Sequence, residues 1–241
     1  MKKQKKERQR KYSQRGFFLK IIIFLFWKVK DVIYRMQNGK EFEEYGLTLF
    51  TGRQGAGKTM AMTEYLERMR IEYPDAIIVS NYGYINEHRP MTDWNDFFTV
   101  KNGTAGVIFA IDEIQNEFSS TQWKNFPESL LSEITQQRKQ RVKIVATSQI
   151  FTRVTKQLRE QCMDVVVCRT LGGRWTLTKC FDAVDYNDTI DSPEGKKNMT
   201  RLWRRSFIQD NHLRNLYDSY AKIERMQRTE FMSPAERGAG R

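Results

Sequence analysis

Residues 51–59 read Thr51-Gly52-Arg53-Gln54-Gly55-Ala56-Gly57-Lys58-Thr59, two glycines bracketing a four-residue turn that closes on a lysine and a threonine. An apolar run at 46–51 precedes it. Residues 58–72 follow, with Met62, Tyr65, Leu66 and Met69 at helical spacing and Pro74 as the stop. Strand, glycine turn and helix in this order predict a cradle for a nucleotide phosphate. The turn must approach an anion closely, which side chains obstruct, and the free amides and dipole of the helix start favour negative charge there. Lys58 is expected to neutralise the β and γ phosphates and Thr59 to ligate magnesium through its hydroxyl. The expected ligands are ATP and Mg2+, touched by Gly52, Arg53, Gln54, Gly55, Ala56, Gly57, Lys58 and Thr59.

Working outward, continuous apolar runs at 76–80, 107–111 and 142–147 read as further buried strands, the kind found where helices cover both faces of a parallel sheet. Helices are expected at 127–138 and 152–161. The fold class is therefore α/β, a mainly parallel sheet flanked by helices. Runs at 163–169 and 174–181 meet across Thr170-Leu171-Gly172-Gly173, a hairpin signal. Residues 183–206 are polar, contain Pro193 and Gly195, and are read as a loop or excursion. Asp210 is placed to cap a last helix carrying Leu213, Leu216, Tyr217, Tyr220, Ile223 and Met226, ended by Pro234. The expected units are 1–40, a core at 41–182, and 183–241. There is no internal repeat.

Asp112 ends an apolar strand, which sets it at the carboxyl edge of the sheet, where open α/β sheets bind ligands. It is the expected second magnesium-holding group. Glu113, one residue on, is suited to orient the water that attacks a γ-phosphate. Gln149, after the fourth strand, is a candidate sensor of that phosphate or a plain strand-end hydrogen bonder. Arg138, Lys139, Arg141 and Lys143 form a basic cluster that suits a helix C-terminus in any protein. A sharper reading makes Arg138 or Arg141 a trans-acting arginine or a DNA contact, with Arg153 and Arg159 as rivals. Trp94, Trp123, Trp175 and Trp203 are expected to pack, Trp123 having contact with a translocated strand or a neighbour as its alternative. The acidic stretch at Asp185, Asp188 and Asp191 lacks calcium-loop spacing and is expected to be solvated.

Charge is unevenly placed. Residues 1–40 hold 13 of the 41 Lys and Arg but only 2 of the 29 acidic residues, so +11 of the formal +12 lies there. The remainder is close to neutral, and global attraction to a polyanion comes from the arm. Its cations at 2–15 run into Phe17-Phe18-Leu19-Lys20-Ile21-Ile22-Ile23-Phe24-Leu25-Phe26-Trp27. No small-residue cleavage site follows. Eleven helical residues rise about 16 Å against roughly 30 Å of hydrocarbon, too short to span. Continued to Arg35, the helix gathers Lys20, Lys28, Asp31 and Arg35 on one face, an interfacial pattern. Residues 2–35 are thus expected at the cytoplasmic face of a membrane, combining apolar insertion with attraction to anionic lipid; packing on protein, and a basic arm on DNA phosphates, are the alternatives. Cys162, Cys168 and Cys180, with His88 and His212, make no zinc pattern and read as reduced thiols.

With those residues in place, the stretch from 46 to about 169 resembles the ATPase domain of the zonular occludens toxin family, filamentous-phage assembly proteins within the FtsK and HerA class of P-loop motors. The matching features are Gly52 to Thr59, the Asn81 and Trp94 region, Ile111-Asp112-Glu113, and Thr147-Ser148-Gln149 followed by Val154 and Leu158-Arg159. The resemblance implies an additional-strand catalytic-glutamate fold, a homo-oligomeric ring, and ATP-driven movement of DNA or of a nascent virion at a membrane. The sequence departs from the family pattern by placing its apolar segment ahead of the ATPase domain, with nothing after Arg169 able to span. That departure raises a compact DNA-packaging or DNA-transfer motor of a phage or mobile element above virion extrusion. An assembly ATPase that threads no DNA, contacting capsid or assembly proteins, and a nucleotide-gated scaffold with little turnover remain the alternatives.

Overall fold

The computed structural model describes residues 16–38, 41–92, 95–117, 137–190 and 199–217. Two compact units divide the chain at Glu41 and Phe42.

In the first unit, α1 (Phe17–Asn38) is one continuous helix of 22 residues. It contains neither glycine nor proline, and its rise of about 33 Å follows from 1.5 Å per residue. Its described side chains are exposed, Phe24, Phe26 and Trp27 among them. Lys30 lies over the Trp27 ring at 5.3 Å and Lys28 over Phe24 at 5.8 Å. No helix among the described residues is long and apolar enough to cross a membrane.

The second unit is built on one eight-stranded sheet ordered β3-β2-β4-β5-β1-β6-β7-β8. The strands are β1 (Gly46–Thr51), β2 (Ile77–Ser80), β3 (Arg89–Pro90), β4 (Val107–Ile111), β5 (Val142–Ser148), β6 (Cys162–Leu171), β7 (Trp175–Asp182) and β8 (Arg201–Ile208). The first six in space run parallel, and β7 and β8 add an antiparallel wing. β1, β4 and β5 are buried at every position, which is why their sequences are unbroken apolar runs. β5 is the additional strand: it separates β1 from β4, registering Thr51 with Ser148 and Ile111 with Ala146.

Each sheet face has its own core. α2 (Lys58–Glu72) lays Met62, Leu66 and Met69 over Phe50, Ile108 and Val145. On the opposite face Leu49, Phe109, Ile144 and Val165 pack with Phe151, Val154 and Leu158. A side chain as fully enclosed as Phe109 contributes about 1.5–3 kcal/mol through burial. Gly106 has φ +80, and a Cβ there would lie 2.2 Å from the Phe42 ring, so the turn into β4 needs glycine on both counts.

Several expectations are corrected. Within 183–206 the described residues do not form a loop: α3 (Ala183–Ile190) follows β7, capped by Asp182, whose Oδ1 accepts from Val184 N at 2.9 Å, while Asp191, Pro193 and Gly195 lie outside the described residues. β8 then pairs with β7 along its length. Polar composition misled because a wing strand open to solvent needs little apolar content. The helix expected at 152–161 is split into a 3-10 turn, Phe151–Arg153, and a short helix, Lys156–Glu160, because Val154 and Thr155 are extended where Val154 turns into the core. Asp210 does cap, its Oδ1 accepting from Leu213 N at 2.7 Å, but the described helix is only Asn211–Arg214. Tyr220, Ile223, Met226, Pro234, Trp94, Trp123 and most of 127–138 lie outside the described residues. Trp175 and Trp203 do not pack inside; both are exposed on the wing. Asp185 and Asp188 are solvated as expected, on α3.

Candidate nucleotide-phosphate site

The P-loop leaves β1 at its carboxyl edge and enters α2 through Gly57, whose φ is +80. No side chain caps the α2 N-terminus, so its first amides remain for an anion. A Cβ on Gly57 would stand 2.4 Å from the Thr170 hydroxyl, and one on Gly52 2.8 Å from the Cys168 carbonyl. β6 thus braces the loop from behind, and the two glycines are required by that approach as much as by ligand. Lys58, largely buried, turns its ammonium to the loop itself, donating to the Arg53 carbonyl at 3.2 Å. Gln54, Gly55, Gly57, Lys58 and Thr59 open onto a cavity of about 320 Å³ whose far side carries Asp112, Glu113 and Gln149.

That far side is a line of hydrogen bonds across three strands. Thr59 Oγ1 donates to Asp112 Oδ1 at 2.9 Å, and Thr147 Oγ1 donates to the same oxygen at 2.7 Å. Asn81, from the end of β2, brackets the Asp112 backbone: its Oδ1 accepts from Asp112 N at 2.7 Å and its Nδ2 donates to Asp112 O at 3.2 Å. Glu113 adopts φ +52, a left-handed conformation that costs a non-glycine residue about 1–3 kcal/mol. Its N–H donates to Thr147 Oγ1 at 2.8 Å, and its carboxylate accepts from Gln149 Nε2 at 3.3 Å and Asn116 Nδ2 at 2.7 Å. Strain held by three neighbours at a cavity wall marks a residue whose position is specified.

The donor set fits magnesium. Thr59 and Asp112 present hard oxygens side by side at the loop mouth, an arrangement that leaves most coordination positions to phosphate oxygen and water. Lys58, Thr59, Asp112, Glu113 and Gln149 are brought together as the spacing predicts. The four arginines are not gathered there. Arg141 sits at the amino end of β5 with φ +55 and donates to the Phe42 carbonyl at 2.7 Å. Arg153 is exposed after β5, Arg159 lies over the Phe151 ring at 5.7 Å, and Arg138 is in the short helix Gln137–Gln140. The basic cluster has an internal member: Lys143 is buried, donating to Tyr45 O and Thr48 Oγ1, and burial lowers its pKa.

Sequence reasoning assigned no role to Thr147 or Asn81 at Asp112, nor to a second brace. Thr170 Oγ1 donates to the Ala56 carbonyl at 3.0 Å, and buried Gln209 donates to Thr176 Oγ1 at 2.7 Å. Threonines alternating with Trp175, Leu177 and Lys179 along β7 were the available signal.

A parallel sheet with its extra strand between the P-loop strand and the Asp112 strand defines a P-loop NTPase. Residues 63–222 match the model of the Zonular occludens toxin (Zot) family, and the chain belongs to that family. No curated protein matches it in sequence. Among solved structures, the N-terminal domain of zonular occludens toxin from Neisseria meningitidis is 15% identical, with a TM-score of 0.50 over 72% of this chain and 99% of that one. The genome packaging NTPase B204 from Sulfolobus turreted icosahedral virus 2, in complex with ATP-gammaS, is 12% identical with a TM-score of 0.44, covering 58% and 93%.

Proposed function

We propose that this chain is the ATP-hydrolysing motor of a phage or mobile element, a ring-forming ATPase that couples hydrolysis to DNA movement or packaging at the cytoplasmic face of a membrane. The observation that carries the reading is the line Thr59–Asp112–Thr147–Glu113–Gln149, which faces the P-loop across one cavity. Bound magnesium supplies Lewis-acid polarisation of the β and γ phosphates. Thr59 and Asp112 hold that ion's protein side, Lys58 leaves the Arg53 carbonyl to neutralise phosphate oxygens, and Glu113 orients and accepts a proton from the attacking water. Gln149, bonded to Glu113, senses the γ-phosphate. One of Arg138, Arg141, Arg153 or Arg159 completes the site of a neighbouring subunit; the exposure of Arg153 favours it over Arg141, which holds the Phe42 carbonyl. The basic arm and the exposed apolar face of α1 support attachment to anionic lipid.

The test is phosphate release by the full chain with and without DNA. Stimulation by DNA, abolished by Lys58→Ala and by Glu113→Gln with nucleotide binding retained in the latter, is expected. Robust turnover indifferent to every nucleic acid would remove DNA from the reading. It would leave the second one, an assembly or export ATPase contacting capsid or assembly proteins, which the family match favours. Single-turnover binding without hydrolysis would instead indicate a nucleotide-gated scaffold.

A further inference from the structure

The antiparallel wing carries a solvent-facing grid that the nucleotide site does not use. Residues directly opposite in an antiparallel pair share a face, and so do alternate residues along a strand. On β6, β7 and β8 this gives three aligned rows: Val167, Lys179 and Arg204; Arg169, Leu177 and Ser206; Leu171, Trp175 and Ile208. The grid holds three cations and no acid. Trp175 is 49% exposed and Ile208 58%. Among the described residues, Arg169, Lys179 and Arg204 have no ion-pair partner.

Two features say what fits. Lys179 and Arg204 are directly opposed, an arrangement of like charges that destabilises a sheet unless an anion lies over it. Rows repeat about every 6.8 Å along a strand, and the cations of the first two rows are followed at that spacing by a row presenting an indole and two aliphatic side chains. Cations that track a backbone beside an exposed aromatic on a β-sheet are the elements of single-stranded nucleic-acid recognition. A duplex would find phosphate contacts here, but the three-stranded face is broader than the two-stranded ribbon that a major groove admits. An anionic membrane would use the same cations and the apolar row of Trp175, so anionic vesicles are set against oligo(dT) in the test below.

We infer that the outer face of β6–β8 is a binding platform for single-stranded nucleic acid, with Arg169, Lys179 and Arg204 on phosphates and Trp175 stacked on a base. The inference rests on the DNA-motor reading and names its contact surface. It also gives that contact a route to the P-loop, because the opposite face of the same strands carries Thr170 and Thr176, which hold the Ala56 carbonyl and Gln209.

The experiment is fluorescence anisotropy of a labelled thirty-nucleotide oligo(dT) with the full chain, over a salt series, alongside ATPase stimulation and photocrosslinking from iodouracil-substituted oligonucleotide. Lys179→Gln with Arg204→Gln is expected to weaken binding about tenfold and to reduce the log–log salt slope by about 1.4, two phosphate contacts' worth. Trp175→Ala should weaken binding about tenfold with little change in slope. Both should keep the unstimulated ATPase rate, lose stimulation, and crosslink less within residues 162–208, and the double variant, relieved of its opposed cations, should unfold no earlier than the parent. Trp175→Phe should restore most of the binding. Variants that bind like the parent, or crosslinks confined to residues 2–15, overturn the platform while leaving the motor intact. A parent stimulated only by duplex, or variants impaired on anionic vesicles but not on oligo(dT), overturn it as well. A parent that hydrolyses ATP but binds no nucleic acid overturns both.

Discussion

Thr147 donates its hydroxyl proton to Asp112 Oδ1 at 2.7 Å, across the junction of β5 and β4. Its oxygen at the same time accepts the Glu113 N–H at 2.8 Å, so a single hydroxyl orients one carboxylate and pins the strained backbone of the next. Thr147→Val keeps the shape and removes both bonds. On the proposed mechanism kcat should fall about ten- to a hundredfold while nucleotide affinity changes by less than about threefold, since a lost hydrogen bond to a charged group is worth about 1.5–3 kcal/mol. Steady-state phosphate release beside fluorescent-nucleotide titration would check this. An unchanged kcat would remove Thr147 from the machinery.

Gly57→Ala should damage folding and binding together. The methyl group meets the Thr170 hydroxyl at 2.4 Å and the backbone keeps φ +80. A loss of about 1–3 kcal/mol in urea unfolding is expected, with ATP affinity reduced at least about tenfold. Pairing it with Thr170→Ser, which leaves the hydroxyl in place, should rescue neither; Thr170→Gly should recover part of the stability.

The buried thiols predict an alkaline limit. Burial pushes the Cys162 and Cys168 thiols up to about 12, above the ordinary value of about 8.5. Their folded pKa is raised, so the stability they contribute is complete below about pH 8.5 and is lost as pH rises toward 12. The slope approaches about 1.4 kcal/mol per pH unit for each thiol. Lys143 works oppositely, its pKa lowered by burial, so folding gains as pH approaches the ordinary lysine value. A Cys162→Ala, Cys168→Ala variant should be less stable throughout, through lost packing, yet fall less steeply between about pH 9 and about pH 10.5 in denaturant titrations. Ellman's reagent should label the cysteines only after unfolding.

For α1, the full chain is expected to co-sediment with vesicles containing anionic lipid, and to release as added salt screens its cations. Ile22→Asp and Phe24→Asp, both on exposed apolar positions, should abolish binding without altering ATPase turnover. Equal binding to neutral vesicles would deny the cations a part.

The parallel half of the fold was legible because buried strands leave unbroken apolar runs, and the P-loop because its glycines are set by sterics that few other sequences satisfy. The antiparallel wing was legible only in part. β6 and β7 announced themselves through Gly172 and Gly173, whereas β8, Arg201–Ile208, carries four polar residues in eight and looked like a loop. Asp112, Glu113 and Gln149 could be placed from strand ends. Thr147 and Gln209 could not, since a threonine inside an apolar strand and a glutamine before a helix are ordinary until a partner from a distant strand meets them. The corrected positions of Trp175 and Trp203 have the same cause: no local pattern tells whether a sheet face is covered.

β5 is held in register on both flanks, Thr147 beside Phe50 on one side and Ala146 beside Ile111 on the other. Because alternate residues of a strand face opposite ways, deleting or adding one residue anywhere from Val142 to Ala146 would bring Ser148 or Ala146 to the place of Thr147 and exchange side chains between the two buried cores, where neither fits. This stretch can therefore drift in composition over generations while its length stays frozen. Homologues should differ in which apolar residues fill it and agree on how many.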